Sequence, residues 1–303
     1  MEEADSDRRA VSPPAKGRAS ALVAPLTALT MVAFAANSLL ARAAFQTTAI
    51  DAASFTAIRV TSGALTLLVI LLVQGQRLPT ARAGPCSALL LFIYAATFSF
   101  AYRDISTGAG ALVLFAAAQL LMIAYGFLRK GERTSIPGLM LALGGMVAFL
   151  GPSASVPSFR AAALMAVAGF AWGGFSLLGR SSESPTASTA ASFLWSVPLA
   201  LLLLLAQSDA LRIDAQGVIY ALVSGTVTSA LGYVIWYWVR VRMTAISAAA
   251  VQLSVPVLTA VLGVVLLSEA VTWAGAVASL ATLAGVAWVT LTARGRPLKG
   301  NDG

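Results

Sequence analysis

Three carboxamide side chains fall near the middle of long apolar runs: Asn37, Gln119 and Gln252. In hydrocarbon such a group must find a partner in a neighbouring helix, a water or a ligand. Two readings follow. Either each amide bonds one helix to another, contributing roughly 0.6 kcal/mol, or the three face a common cavity and hold a polar substrate. Pro256 stands four residues after Gln252. It has no N–H, and its ring presses on the carbonyl four residues back, which belongs to Gln252. One level of that helix would therefore offer a freed carbonyl and a carboxamide, and Pro256 is a candidate kink for gating.

Arg59 is the one charge well inside an apolar run, about seven residues or roughly 10 Å from its start. A charge at that depth marks function by default. The structural alternative is a stem that snorkels outward or a guanidinium bonded to helix-end carbonyls, and Arg59 is carried here as a structural charge. Phe34 and Trp172 occupy equivalent positions in their runs. Trp172 is too deep for an interfacial anchor, so it fills the core, covers a cavity or holds a cation against its ring. Gly169 and Gly173 flank it at the GxxxG spacing of close helix packing. Tyr233 and Tyr237 share a helix face, while Trp236 and Trp238 read as belt residues. Tyr94, Thr97, Ser99 and Tyr102 form a looser polar-aromatic set. The candidate substrate-binding residues are Asn37, Ser38, Tyr94, Phe115, Gln119, Trp172, Ser176, Tyr233 and Gln252.

The elements that must position these groups are membrane helices. The 303 residues are 58% hydrophobic and 11% charged, against about 25% charged in a soluble domain, and mean hydropathy is +0.84. Ten apolar spans are expected near 21–44, 52–74, 85–102, 107–128, 135–151, 160–179, 189–207, 216–239, 244–268 and 272–292. The fifth is short and glycine-rich, hence tilted or tightly packed. Residues 1–20 mix both charges around Pro13-Pro14 and read as a disordered cytoplasmic tail; 293–303 form a second tail.

The spans repeat. Thr107–Glu132 recurs as Thr244–Glu269, with Phe115 on the position of Gln252 and Gln119 on that of Pro256. Ser38-Leu39-Leu40-Ala41-Arg42 matches Ser176-Leu177-Leu178-Gly179-Arg180, and Ala52-Ala53-Ser54-Phe55 matches Ala190-Ala191-Ser192-Phe193 at the same offset. The expected fold is an all-α polytopic membrane protein of ten transmembrane helices. It divides into two five-helix repeats, 21–151 and 158–292. Five is odd, so the second repeat enters the bilayer inverted, with a site at the midplane between halves. Fifteen of the 20 Lys and Arg residues lie on the side of the N-terminus, four (Arg42, Arg103, Arg160, Arg212) on the other, and Arg59 within a span. That bias puts both termini in the cytoplasm.

Composition also excludes classes. There is no histidine, and Cys86 is the single cysteine, read as a small packing residue. Metal sites, Ser-His or Cys-His catalysis and a disulfide framework are excluded, so neither an enzyme nor a cofactor is expected. The net charge of +8 sits in short loops beside spans, with no basic-aromatic pattern for nucleic acid. None of the twelve acidic residues is at the midplane, where a proton carrier or a polycation's counter-ion would stand. Glu132 and Glu269 end their helices, where a carboxylate opposes the helix dipole, so each needs a local cation or amide. Amides, hydroxyls, a freed carbonyl and aromatic faces suit a neutral or zwitterionic substrate.

With Phe34-Ala35-Ala36-Asn37-Ser38, the Arg59 of A-I-R-V, R-K-G-E-R at 129–133, A-W-G-G-F-S at 171–176, Pro256 and Ser268-Glu269, residues 21–292 resemble the drug/metabolite transporter superfamily, specifically its EamA family. The family often has Trp at Phe34, Pro at Gln119 and Gly at Ser268. The resemblance implies a bacterial inner-membrane protein with a central cavity. It further implies export of small metabolites, often amino acids as in YddG-like exporters, by a monomer or homodimer. The alternatives are proton-coupled drug or polyamine efflux and a non-transporting membrane subunit or lipid-carrier flippase component.

Overall fold

A computed structural model describes residues 16–76, 84–130, 135–150, 158–178, 184–240, 242 and 251–292. Among these, ten apolar helices run in chain order: α1 Lys16–Thr47, α2 Ala52–Val73, α3 Gly84–Tyr102, α4 Thr107–Lys130, α5 Ile136–Leu150, α6 Phe159–Leu178, α7 Pro185–Ala206, α8 Ala215–Arg240, α9 Ser254–Leu267 and α10 Trp273–Thr292. Seven are long and apolar enough to cross a bilayer; the shorter apolar ones are in α5, α9 and α10. Large apolar side chains such as Val73, Phe159, Leu205 and Trp273 are exposed. On a soluble protein so much apolar surface would aggregate; around a membrane bundle it faces lipid.

Two expectations change. Helix α1 begins at Lys16, so 16–20 are helical and not tail. Lys and Arg are good helix formers, and the helix overruns its apolar stretch by a turn. Residues 1–15 and 293–303 lie outside the described residues. The ninth span is not one helix: Val251 and Gln252 are helical, Leu253 breaks the run, and α9 starts at Ser254. Pro256 therefore sits in a first helical turn, where a missing N–H leaves no bond unmade. Ser254 donates to the Val251 carbonyl at 2.7 Å across the break. Residues 243–250 lie outside the described residues.

The helices pair in a regular scheme. Helix α3 packs on α6 and α7, and α8 on α1 and α2. Helix α4 packs on α6, and α9 on α1, while α2–α7, α4–α9 and α5–α10 pair directly. Exchanging each helix for the one five places along carries the first six of these pairings onto one another and leaves the last three unchanged. Small residues set the closest approaches. A Cβ at Gly169 would strike the Leu114 carbonyl, joining α6 to α4 as the GxxxG spacing predicts, and one at Gly225 would strike the Arg59 carbonyl, joining α8 to α2. The glycine-rich α5 is tightly packed at Gly145 against Thr282 of α10, whereas Gly144 meets open space.

Helix starts are capped by side chains that supply the acceptors a first turn lacks. Asp51 accepts from the Ala53 and Ser54 amides at 2.9 Å, and Asp214 from the Gly217 amide at 2.9 Å. The two loops also exchange bonds: Arg212 N–H donates to Asp51 at 2.8 Å, and Ala49 N–H to Asp214 at 3.0 Å. Burial pushes the Asp51 carboxyl up, and hydrogen bonds from Ser54, Arg212 and Ala53 more than offset it, so its pKa lies below the ordinary carboxylate value. Cys86 lies in the first turn of α3 and is exposed, so it is not the packing residue expected.

Gly169→Ala should lower thermal stability by about 1–3 kcal/mol through overpacking, while Gly144→Ala leaves it unchanged, as read from melting in detergent. Asp51→Ala should cost about 1 kcal/mol at neutral pH. A lowered folded pKa contributes stability above the unfolded value and loses it as pH falls. The gap between wild type and variant should therefore close below about pH 4, in melting curves taken against pH.

Candidate functional site

The centre of the bundle holds a chain of hydrogen bonds that crosses four helices. Asn37 on α1 accepts at its carbonyl from Ser224 at 2.7 Å and Thr228 at 3.0 Å, both on α8. Its NH2 group donates to the Tyr94 hydroxyl on α3 at 3.4 Å. Arg59 on α2 donates from Nη2 to the same hydroxyl at 3.0 Å and from Nε to Ser229 at 3.2 Å. Tyr94 thus receives two donors, and Tyr233 interacts with both Tyr94 and Arg59. The chain closes locally because α8 is not a uniform α-helix. Residues Ser224–Leu231 form a π-helical stretch, a wider turn often found at functional sites, and it brings Ser224, Thr228 and Ser229 inward together.

Aromatic rings enclose this chain. Phe34 meets Trp172, Tyr233 and Trp236 edge-on at 6.0, 5.9 and 5.9 Å between centroids, and Trp172 lies 5.3 Å from Tyr94 and 5.2 Å from Tyr233. Between rings and hydroxyls is a cavity of about 20 Å³, lined by Phe34, Asn37, Ser38, Tyr94, Phe98, Leu114, Phe115, Trp172, Thr228 and Tyr233. That is room for about one water. A larger space of about 330 Å³ lies between α4, α9 and α10, with Pro256 and Glu269 on its wall. Its rim residues Val257, Val261 and Leu280 are exposed on the bundle's outer surface, so it is a lipid-facing groove and not the central chamber.

The fold brings some of the candidate residues together at this centre and leaves others apart. Asn37, Ser38, Tyr94, Phe115, Trp172 and Tyr233 line one cavity. Gln119 and Gln252 are buried but do not line it, and Ser176 is half-buried further along α6. Trp236 is buried against Phe34 and is no belt residue; one turn after Gly232, it points to the core. Trp238 stacks under Arg242 at 3.7 Å. Arg59 does not snorkel: it is 2% exposed, because hydroxyls on α3 and α8 reach it in place. Ser224, Thr228, Ser229 and Phe98 were not anticipated. The run Ser224-Gly225-Thr226-Val227-Thr228-Ser229, rich in hydroxyls at mid-span, is the signal that could have found them.

One end of the bundle is closed by a second polar cluster. The Glu269 carboxylate accepts from the Thr107 amide at 3.0 and 2.8 Å and from Arg42 Nε at 3.3 Å. Arg42 Nη1 donates to the Tyr102 and Arg103 carbonyls at 2.9 and 2.8 Å. An acid therefore sits at the start of α4 and a cation at the end of α3, both favourable to the helix dipoles. The expected local partner for Glu269 is a distant one. It reaches α4 because Ser268 turns left-handed, with φ at 52°, and sends the chain back. Glu132 and Arg133 lie outside the described residues.

Residues 159–291 match the model of the EamA-like transporter family. The uncharacterized protein PA1977 of Pseudomonas aeruginosa is 48% identical over 274 residues, spanning 89% of this chain and 95% of that protein. A solved crystal structure superposes with a TM-score of 0.62 at 19% identity, over 90% of this chain and 99% of that one, a likeness of fold alone. Ten apolar helices around a polar-aromatic centre, together with these matches, make the chain a multi-pass membrane protein that belongs to the EamA-like transporter family of the drug/metabolite transporter superfamily.

Proposed function

We propose that the protein is a secondary transporter that exports amino acids or similar small zwitterionic or neutral metabolites by alternating access. The observation that carries this reading is the central cavity, whose walls come from α1, α3 and α4 of the first half and α6 and α8 of the second. Residues 21–151 and 158–292 are read as inverted five-helix repeats, supported by helix pairings that interchange under a shift of five helices. Rocking one half against the other would open the cavity to each side in turn. The Arg42–Glu269–Thr107 cluster closes one end, which the Lys and Arg distribution assigns to the outside, with both termini cytoplasmic in a bacterial inner membrane. At the depth of the cavity the break at Leu253, just before the turn that holds Pro256, serves as the hinge.

No residue lining the cavity is acidic, so the wall has no group of the kind that carries protons in coupled transporters. Flow is therefore read as facilitative, down the substrate gradient. The rings offer apolar contact and a face for an ammonium group, and Asn37, Ser38, Thr228 and the tyrosine hydroxyls orient the polar end.

Purified protein in liposomes should show saturable counterflow of labelled amino acids that ignores an imposed pH gradient. Exchange only with a proton gradient would point to proton-linked efflux, and no exchange at all to a subunit that needs a partner. Asn37→Ala takes the acceptor from the buried Ser224 hydroxyl, and should lower exchange about tenfold while protein in the membrane is retained. Loss of the protein itself would reduce Asn37 to interhelical bonding. Glu269→Gln breaks the charge pairing at the closed end. It should slow exchange several-fold, measured as initial counterflow rate, with little change in expression.

A further inference from the structure

The hydrogen-bond inventory of the core is lopsided. Among the described residues, the buried side-chain polar atoms without a hydrogen-bond partner are Ser54 Oγ, Arg59 Nη1, Thr107 Oγ1, Gln119 Nε2 and Trp172 Nε1. Three of these are N–H donors. Buried donors without acceptors are rare in native proteins, and each calls for an explanation. Trp172 lines the central cavity. Gln119 lies one helical turn along α4 from Phe115, another lining residue.

Arg59 is the strongest of the three. It is a full charge at 2% exposure, and no carboxylate among the described residues pairs with it; Glu269 pairs with Arg42 instead. Its contacts are neutral: the Tyr94 and Ser229 hydroxyls, the neighbouring Tyr233 hydroxyl, and the rings of Tyr94 and Phe98 at 5.1 and 4.8 Å from the guanidinium carbon. Both rings line the cavity, so the charge stands one side chain behind its wall. Burying a cation without a counter-ion is costly. The cost falls when an anion arrives.

We infer that the transported substrate carries a carboxylate and that Arg59 receives it through the N–H group left unpaired here. The inference rests on the transport reading and names the group by which that site selects. A guanidinium presents two parallel donors that match a carboxylate's two oxygens. The incoming anion cancels the buried charge, whereas an amine adds to it. No acidic residue lines the cavity to hold an ammonium group, so the amino group of an amino acid is tolerated and not required. Simple organic acids of the same size belong to the substrate class; amines, polyamines and amino-acid amides do not.

The test uses the full-length wild-type protein in detergent and four probes of one shape: 3-phenylpropionate, phenylalanine, phenylalaninamide and 2-phenylethylamine, with the leucine series as a smaller set. Thermal stabilisation should be half-maximal at concentrations about tenfold or more lower for the acids than for their amides and amines. Arg59→Gln should erase that difference, and Arg59→Lys should keep part of it. Amide or amine stabilising as well as the acid, or neither acid series stabilising at all, overturns the assignment to Arg59. If Arg59→Gln does not fold, the wild-type comparison still decides. Counterflow separates the two readings: exchange of amides or amines leaves a transporter without the carboxylate rule, while acid binding without any exchange removes the transport reading and keeps the site.

Discussion

Hydrocarbon offers no hydrogen bonds, so every polar group a membrane helix carries inward needs a partner from protein, water or ligand. The described structure meets this demand at three ranges. Hydroxyls on the spans bond the carbonyl one turn back, as Thr30 does to Leu26, Thr56 to Ala52 and Thr259 to Val255. Helix starts take acceptors from the adjoining loop, as at Asp51 and Asp214. The few groups that neither device satisfies reach across the bundle, and these long-range bonds decide which helices meet. Asn37 ties α1 to α8, Arg59 ties α2 to α3 and α8, and Glu269 ties the end of α9 to α1 and α4.

The long-range bonds fall into two groups with different chemistry. At the closed end, opposite charges pair and also meet complementary helix termini, so that cluster is satisfied internally. At the centre one cation is surrounded by neutral hydroxyls and aromatic faces, and its field is left uncompensated by side-chain charge. A protein built only for stability would favour the first arrangement everywhere, because breaking or omitting half of a buried pair is destabilising. The contrast is the physical ground on which we propose that the Glu269 end acts as a closure and the middle as a receptor.

Much of the fold was legible because a membrane helix announces itself by length and apolarity alone. Nine of the expected spans coincide with described helices to within a few residues, and Gly169 and Gly173 signalled a close contact that forms against α4. The ninth span was not legible as drawn. An apolar run gives no warning of a break at Leu253, and Pro256 was read as a kink although it sits at a helix start. The site was legible in part. Residues rare in a bilayer, Asn37 and Arg59, did mark the centre, and so did the deep Trp172. Gln119 and Gln252 share the depth of the cavity but not its walls, because depth along an axis does not fix the angle around it. The rotation of α8 could not be read at all, since it depends on a π-helical stretch with no compositional signature beyond clustered small and hydroxyl residues.

That stretch has a mechanical consequence. A π turn holds about one residue more than an α turn, and one residue corresponds to about 100° of rotation about a helix axis. Ser224 stands at its start and Tyr233 and Trp236 follow its end. Tightening it to regular α pitch would swivel the aromatic half of α8 against the hydroxyl half. Asn37 could then keep its partners only if Phe34 and Trp172 lost their contacts with Tyr233 and Trp236. The two walls of the chamber are thus geared through a single backbone, and a change of pitch there is a ready-made way to turn side chains without moving a helix through the membrane.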